Sequence, residues 1–158
     1  MVIRDLATYD VVELVRYICH GDFDHLHDLG QFDSEAFIEF WQETIHAQDG
    51  QILGAFDGEE MIAVLGVLYE PDQYQPDVVY LAEQFWATRH GYLHSKASLK
   101  LLDHLMDMSE TFGWPIQLTL GTKSNPGMLW LLEQQGFHIT DLTLERPVSH
   151  GEEKTEET

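Results

Sequence analysis

The sequence predicts a mixed α/β fold with a mostly antiparallel central sheet of about six strands flanked by about four helices. Three observations carry that expectation. Apolar residues recur at helical spacing in four separate segments, β-rich runs lie between and around them, and Asp57-Gly58 stands between two such runs. The resulting order is β-α-α-β-β-β-α-β-α-β. Runs joined by a tight turn pair antiparallel, whereas runs separated by a helix pair parallel, so the sheet is mixed.

Val2-Ile3-Arg4 opens the chain as a short strand, and Asp10 is placed to cap a helix whose Val11, Leu14, Val15 and Ile18 form one apolar face, ending near Gly21. After a polar stretch over 22–33, Ser34 is a suitable cap for a second helix carrying Phe37, Ile38, Trp41 and Ile45, which ends before Gly50. Residues 51–56 and 61–69 are strands, with Asp57-Gly58-Glu59-Glu60 as their hairpin turn. Pro71 and Pro76 bracket a loop before a strand over 78–87. Simple alternation there puts Glu83 and Phe85 on one face, with Gln84 and Trp86 on the other. A long helix is expected over 95–112, with Leu99, Leu102, Leu105 and Met106 as its apolar stripe and Gly113-Trp114-Pro115 as its stop. Residues 116–120 make a strand, Asn125-Pro126 opens a helix ending at Gly136, and residues 137–146 make the last strand. The domain is expected to span 1–147. Residues 148–158, where Glu152 to Thr158 offer nothing apolar to bury, are expected to be an acidic disordered tail.

Composition narrows the class. With 44% hydrophobic and 11% aromatic residues the chain can bury one core of ordinary size. Its apolar runs are far shorter than the roughly 20 residues of a membrane-spanning helix, and Asp5 and Asp10 stand where a signal peptide would be basic and then apolar. A cytoplasmic protein is the expectation. The single cysteine, Cys19, can form no internal disulfide and no CxxC-type zinc site.

A formal charge of −20 argues against direct nucleic-acid binding, which needs clustered Lys and Arg. The acidity is uneven. Residues 1–88 carry eighteen Asp and Glu against two Arg, whereas residues 89–130 carry four Lys and Arg against three acids. General solubility accounts for such acidity; so does an acidic surface for a cationic small molecule or basic protein surface, beside a neutral-to-basic pocket for an anion; so does mimicry of nucleic-acid charge.

Two segments resemble the GNAT acyltransferase family. Asn125-Pro126-Gly127-Met128-Leu129-Trp130-Leu131-Leu132-Glu133-Gln134-Gln135-Gly136-Phe137 is similar to the family's N-P-A-A-x-x-L-Y-E-K-x-G-F over thirteen positions without a gap. Residues 85–102 resemble the strand, phosphate loop and helix of the family's acyl-CoA site, and Ile3-Arg4 followed by Asp10 is similar to its opening. The resemblance implies a GNAT-like fold, acetyl-CoA as co-substrate and transfer of the acetyl group to an amine. Trp86, Ala87, His94, Ser95, Lys96, Ala97, Ser98 and Asn125 are the cofactor-binding candidates it implies, and Glu83 is the general-base candidate on the matching strand.

The family's loop reads R/Q-x-x-G-x-G/A, because the backbone must come close to a diphosphate and offer it N–H groups at a helix start. Here His94 and Lys96 occupy the glycine positions and Leu93 the place of an Arg or polar residue, whereas Ser95, Ala97 and Ser98 are small. Arg89, His90, His94, Lys96 and Lys100 add favourable charge for an anion; Lys96 and Lys100 also suit the solvated face of a helix. The tyrosine that protonates the leaving thiolate in many members is matched by Leu132, which cannot act as an acid. The alternative reading is a non-catalytic GNAT-like binding protein, an inhibitor, regulator or viral accessory component, that uses its acidic surface.

Other constellations have simpler readings. Cys19, His20, Asp22, Asp24, His25, His27 and Asp28 are dense in metal-ligand types but have no recognised spacing, so an acidic loop is expected and no metal. Phe37, Phe40, Trp41, Phe85, Trp86, Trp114 and Trp130 read as packing residues; an exposed Trp130 would instead mark a contact surface, such as a homodimer face. No Ser-His-Asp or Cys-His nucleophile pattern and no GxxxxGK[ST] loop is present.

Overall fold

A computed structural model of the chain describes residues 1–23, 32–92, 95–120 and 126–148. The chain divides into two compact units, Met1–Thr119 and Leu120–Thr158.

The first unit is built on a sheet of strands β1 (Val2–Asp5), β2 (Gly50–Asp57), β3 (Glu60–Pro71), β4 (Val79–Thr88) and β5 (Ile116–Gln117), adjacent in that order. β1 to β4 pair antiparallel, and β5 joins β4 in parallel. This is the mixed sheet that the sequence predicts. The hairpin is as expected: Asp57 pairs with Glu60, and Gly58 takes the left-handed conformation (φ 61°) that the tight turn demands.

Helices α1 (Thr8–Cys19) and α2 (Ser34–Ala47) cover one face of the sheet. Val11, Leu14 and Ile18 of α1 and Trp41 of α2 meet Ile52, Phe56, Met61, Val64, Phe85 and Ala87 there. Helix α3 (Ala97–Phe112) covers the other face, where Ala97, Leu101 and Leu105 meet Leu53, Ala63, Leu65, Val67 and Leu81. Leu99, expected in the apolar stripe of α3, is 40% exposed; the buried stripe runs instead through Ala97, Leu101, Leu102 and Leu105. Gly113 ends α3 at φ 69°.

The caps differ from expectation by small but informative shifts. Asp10 is not the cap of α1 but lies in its first turn, and its carboxylate reaches back to accept the Ala7 N–H (2.8 Å). It also receives both Nη atoms of Arg4 at 2.8 and 3.2 Å. Burial opposes the charged form of Asp10, but the hydrogen bonds from Arg4 and Ala7 outweigh it and hold the carboxyl below its ordinary pKa. Arg4 in turn lies 4.0 Å above the Phe56 ring. In α2 the cap is Asp33, which accepts the Ala36 N–H at 3.0 Å, and Ser34 is the first helical residue.

In the second unit, α4 (Pro126–Gln134) starts at the expected proline and ends through Gly136 at φ 92°. The strand expected over 137–146 is not formed. Ile139, Leu142 and Leu144 are 67%, 82% and 85% exposed, and alternation without a paired neighbour does not make a strand. Five strands are therefore described rather than about six. The tail over 149–158 lies outside the described residues. No helix among the described residues is long and apolar enough to cross a membrane.

Between β3 and β4 the register slips by one residue: Gly66 pairs with Phe85 but Val67 pairs with Glu83, leaving Gln84 as a bulge. Phe85 lies over Gly66, where an added Cβ would meet its ring carbons at 2.5 Å. The same ring packs on Phe37 and Trp41, with centroids at 5.8 and 5.4 Å, so it has little room to yield. Gly66→Ala is therefore expected to destabilise the fold by about 2–3 kcal/mol in urea denaturation. An unchanged midpoint would show that the Phe85 contact does not constrain β3.

Candidate active site

The site begins where two parallel strands part. β4 and β5 pair at Leu81–Ile116 and Ala82–Gln117, and the Leu81 N–H reaches the Pro115 carbonyl at 2.8 Å. Beyond that point β4 continues to Thr88, while residues 118–120 are not in a strand. No strand among the described residues pairs with this edge of β4 past Ala82.

Glu83 is the first residue past the parting. It is half-buried, with the Thr119 backbone beside its carboxyl. Burial raises its pKa to about 7, and the nearby Thr119 backbone, which favours the charged form, offsets only part of that rise. At neutral pH this carboxyl therefore exchanges readily between its acid and base forms, the property a proton-transfer group requires.

The bulge at Gln84 changes which neighbours Glu83 has. Simple alternation would place Glu83 with Phe85, but the extra residue turns Phe85 to the α1–α2 face. Glu83 instead shares the α3 face with its cross-strand partner Val67 and with Trp86. Gly66, an isolated glycine inside an apolar β run, was the sequence signal for such a bulge.

Past the end of β4 the chain leads to the start of α3. Arg89 is held structurally, 3.5 Å from Glu60 and with its guanidinium 4.7 Å from the Tyr17 ring centroid, so it does not add a free charge to the loop. Tyr92 donates its hydroxyl to Glu60 (3.1 Å), which raises the phenol's pKa. The Ser95 hydroxyl donates to the Tyr92 carbonyl (2.6 Å) and accepts the Ala97 N–H (3.4 Å). Lys96 occupies the N-cap without a side-chain cap bond. The N–H groups of Ser98 and Leu99 meet no acceptor among the described residues. Lys96 and Lys100 are exposed and form no ion pair among those residues.

This helix start suits an anion more than the missing glycines suggest. The Ala97 side chain is fully buried in the α3-face core, so its methyl points away from any ligand at the helix end. Lys96 extends into solvent. Unpaired N–H groups, the positive end of the helix dipole and two lysines together favour negative charge.

The remaining sequence candidates divide. Trp86 lies on the Glu83 face, whereas Ala87 is buried in the opposite core and can offer a ligand only its backbone. His94 and Asn125 lie outside the described residues, as do His25 and His27. Leu132 is buried in the second unit, and Trp130 is 63% exposed. Phe40 is half exposed, unlike Trp41 and Phe85. The Thr119 backbone beside Glu83 has no counterpart among the sequence candidates, because a backbone group leaves no mark in the sequence. A cavity of about 450 Å³ lies elsewhere, lined by Arg4, Tyr9, Asp10, Glu13 and Glu59 among others; its Arg4–Asp10 pair is satisfied internally and ties β1 to α1.

The arrangement matches solved structures over almost the whole chain. A transcriptional regulator from Bacillus halodurans superposes with a TM-score of 0.75 at 18% identity, covering 92% of this chain and 98% of its own. A predicted acetyltransferase from Clostridium acetobutylicum, solved with acetyl-CoA, gives 0.70 at 16% identity, covering 92% and 95%. The chain has the GNAT fold. A third structure, an aminoglycoside acetyltransferase from an uncultured soil metagenomic sample in complex with sisomicin, gives 0.67 at 13% identity, covering 92% and 93%. No protein-family model and no curated protein sequence matches the chain. Identities this low establish the GNAT fold alone.

The raised pKa of Glu83 has a consequence for stability. A carboxyl whose folded pKa of about 7 exceeds its unfolded value near 4.5 favours folding while protonated, and that contribution is lost as pH rises between the two values. Glu83→Gln should therefore stabilise the protein at pH 8, by up to about 3 kcal/mol, and by little at pH 4.5. Denaturation curves at the two pH values check this; an equal effect at both would mean that Glu83 is not buried as charge.

Proposed function

We propose that the protein is an acyl-CoA-dependent N-acyltransferase that moves an acetyl group to an amine of a cationic small molecule or protein. The observation that carries this reading is Glu83: a half-buried carboxyl with a pKa of about 7, at the point where β4 loses its parallel neighbour, on the way to a helix start favourable to an anion. GNAT-fold neighbours that include an acetyl-CoA complex and an aminoglycoside acetyltransferase support the same chemistry.

The transfer replaces a thioester C–S bond with an amide C–N bond, and the attacking nitrogen must lose a proton. Glu83 in its charged form takes that proton, directly or through one water. The N–H groups on the edge of β4 that no strand among the described residues pairs with are suited to polarise the acyl carbonyl, and the start of α3 with Lys96 and Lys100 would hold the diphosphate of CoA. Leu132, which the resemblance matches to the family's proton-donating tyrosine, cannot act as an acid, so solvent protonates the leaving thiolate. The acidic residues of 1–88 would gather a cationic acceptor.

Calorimetry with desulfo-CoA tests the reading without turnover. Micromolar binding is expected, and Lys96→Glu should weaken it about tenfold. Absence of heat and of thermal shift at millimolar ligand would overturn the transferase reading, and unchanged affinity in the variant would remove the α3 site. In acetylation assays kcat/KM should rise with pH through about 7 in the wild type, and Glu83→Gln should abolish that rise and lower the rate roughly 100-fold.

A further inference from the structure

The α3 face of β4 holds a polar atom that packing alone does not explain. The indole Nε1 of Trp86 is closed off from solvent and has no hydrogen-bond partner among the described residues. A buried donor left unpaired is destabilising, and native folds rarely keep one without a use. A phenylalanine would fill an apolar position without that penalty, as Phe85 does on the opposite face.

The location of the donor suggests the use. Trp86 packs against the core cluster that contains Ala97, the first residue of α3, and shares its face with Glu83. On an extended strand the step from position 83 to position 86 covers about 10 Å. A ligand with its phosphates at the α3 start and its reacting end at Glu83 must pass Trp86, and the linking arm of CoA carries amide carbonyls.

We infer that the Trp86 indole N–H donates a hydrogen bond to an amide carbonyl oxygen of that arm and so positions the ligand along β4. Trp86 is then a positioning residue rather than a catalytic one. The inference rests on the acyl-CoA reading. It predicts that the ligand-free protein bears the cost of the unpaired donor and that binding relieves it.

Indole N–H resonances provide the direct test. The protein has four tryptophans, and Trp86→Phe identifies the signal of interest by its loss. On titration of the wild type with desulfo-CoA, the Trp86 indole proton should move downfield. Replacing Trp86 with benzothienylalanine, which keeps the bicyclic shape but lacks the N–H, should leave the Tm of the free protein unchanged or higher while weakening desulfo-CoA about five- to tenfold. An unmoved signal in a wild type that binds by calorimetry, or equal affinity in the isosteric variant, overturns this inference and leaves the acyl-CoA reading standing. A wild type that binds no desulfo-CoA overturns both.

Discussion

A parallel strand pair that ends after two ladder positions leaves one edge of a long strand without its hydrogen-bonding neighbour. In this fold that edge, among the described residues, belongs to β4 past Ala82, and the proposed acyl transfer depends on it. Backbone polar groups in such a position need partners, and an elongated ligand with its own amides can supply them. The remainder of the first unit serves to hold β4 in place: β3 pairs along its whole length on the other side, α1 and α2 cover one face, and α3 covers the other.

The bulge at Gln84 then decides what β4 presents. Without it, Glu83 and Phe85 would share a face and Trp86 would oppose them. With it, the aromatic ring of Phe85 completes the α1–α2 core over Gly66, while Glu83 and Trp86 are left together on the side leading to the start of α3. A single inserted residue thus separates the packing role from the polar roles on one strand. The strongly acidic first part of the chain has its own internal constraint: Asp10 is kept charged by Arg4 and the Ala7 N–H, so one of its carboxylates organises the entry to α1 instead of adding to surface repulsion.

Much of this fold was legible in the sequence because local chemistry determines it. Asp57-Gly58 set the hairpin, the Gly113 stop ended α3, and Pro126 opened α4, each by a conformational preference that the surroundings do not override. The misreadings fall where a longer-range contact competes. Asp10 looked like a cap, but Arg4 on a neighbouring strand draws its carboxylate into the first turn. Leu99 fits the helical period yet faces solvent, since the sheet contacts a stripe shifted toward Leu101. Residues 137–146 alternate as a strand should and still form none among the described residues. For the candidate site, Glu83 lies on the strand and Ser95–Ser98 at the helix start where the sequence places them. The surroundings of Glu83, a bulge, a strand parting and the nearby Thr119 backbone, are properties of register and not of composition.

Hydrogen exchange along β4 measures the central claim most directly. If the free edge is where a ligand binds, the amides from Glu83 to Thr88 should exchange markedly more slowly when acetyl-CoA is added, while those of β1 and β2 stay as they are. Equal exchange at the Glu83–Thr88 amides with and without the ligand would contradict the account.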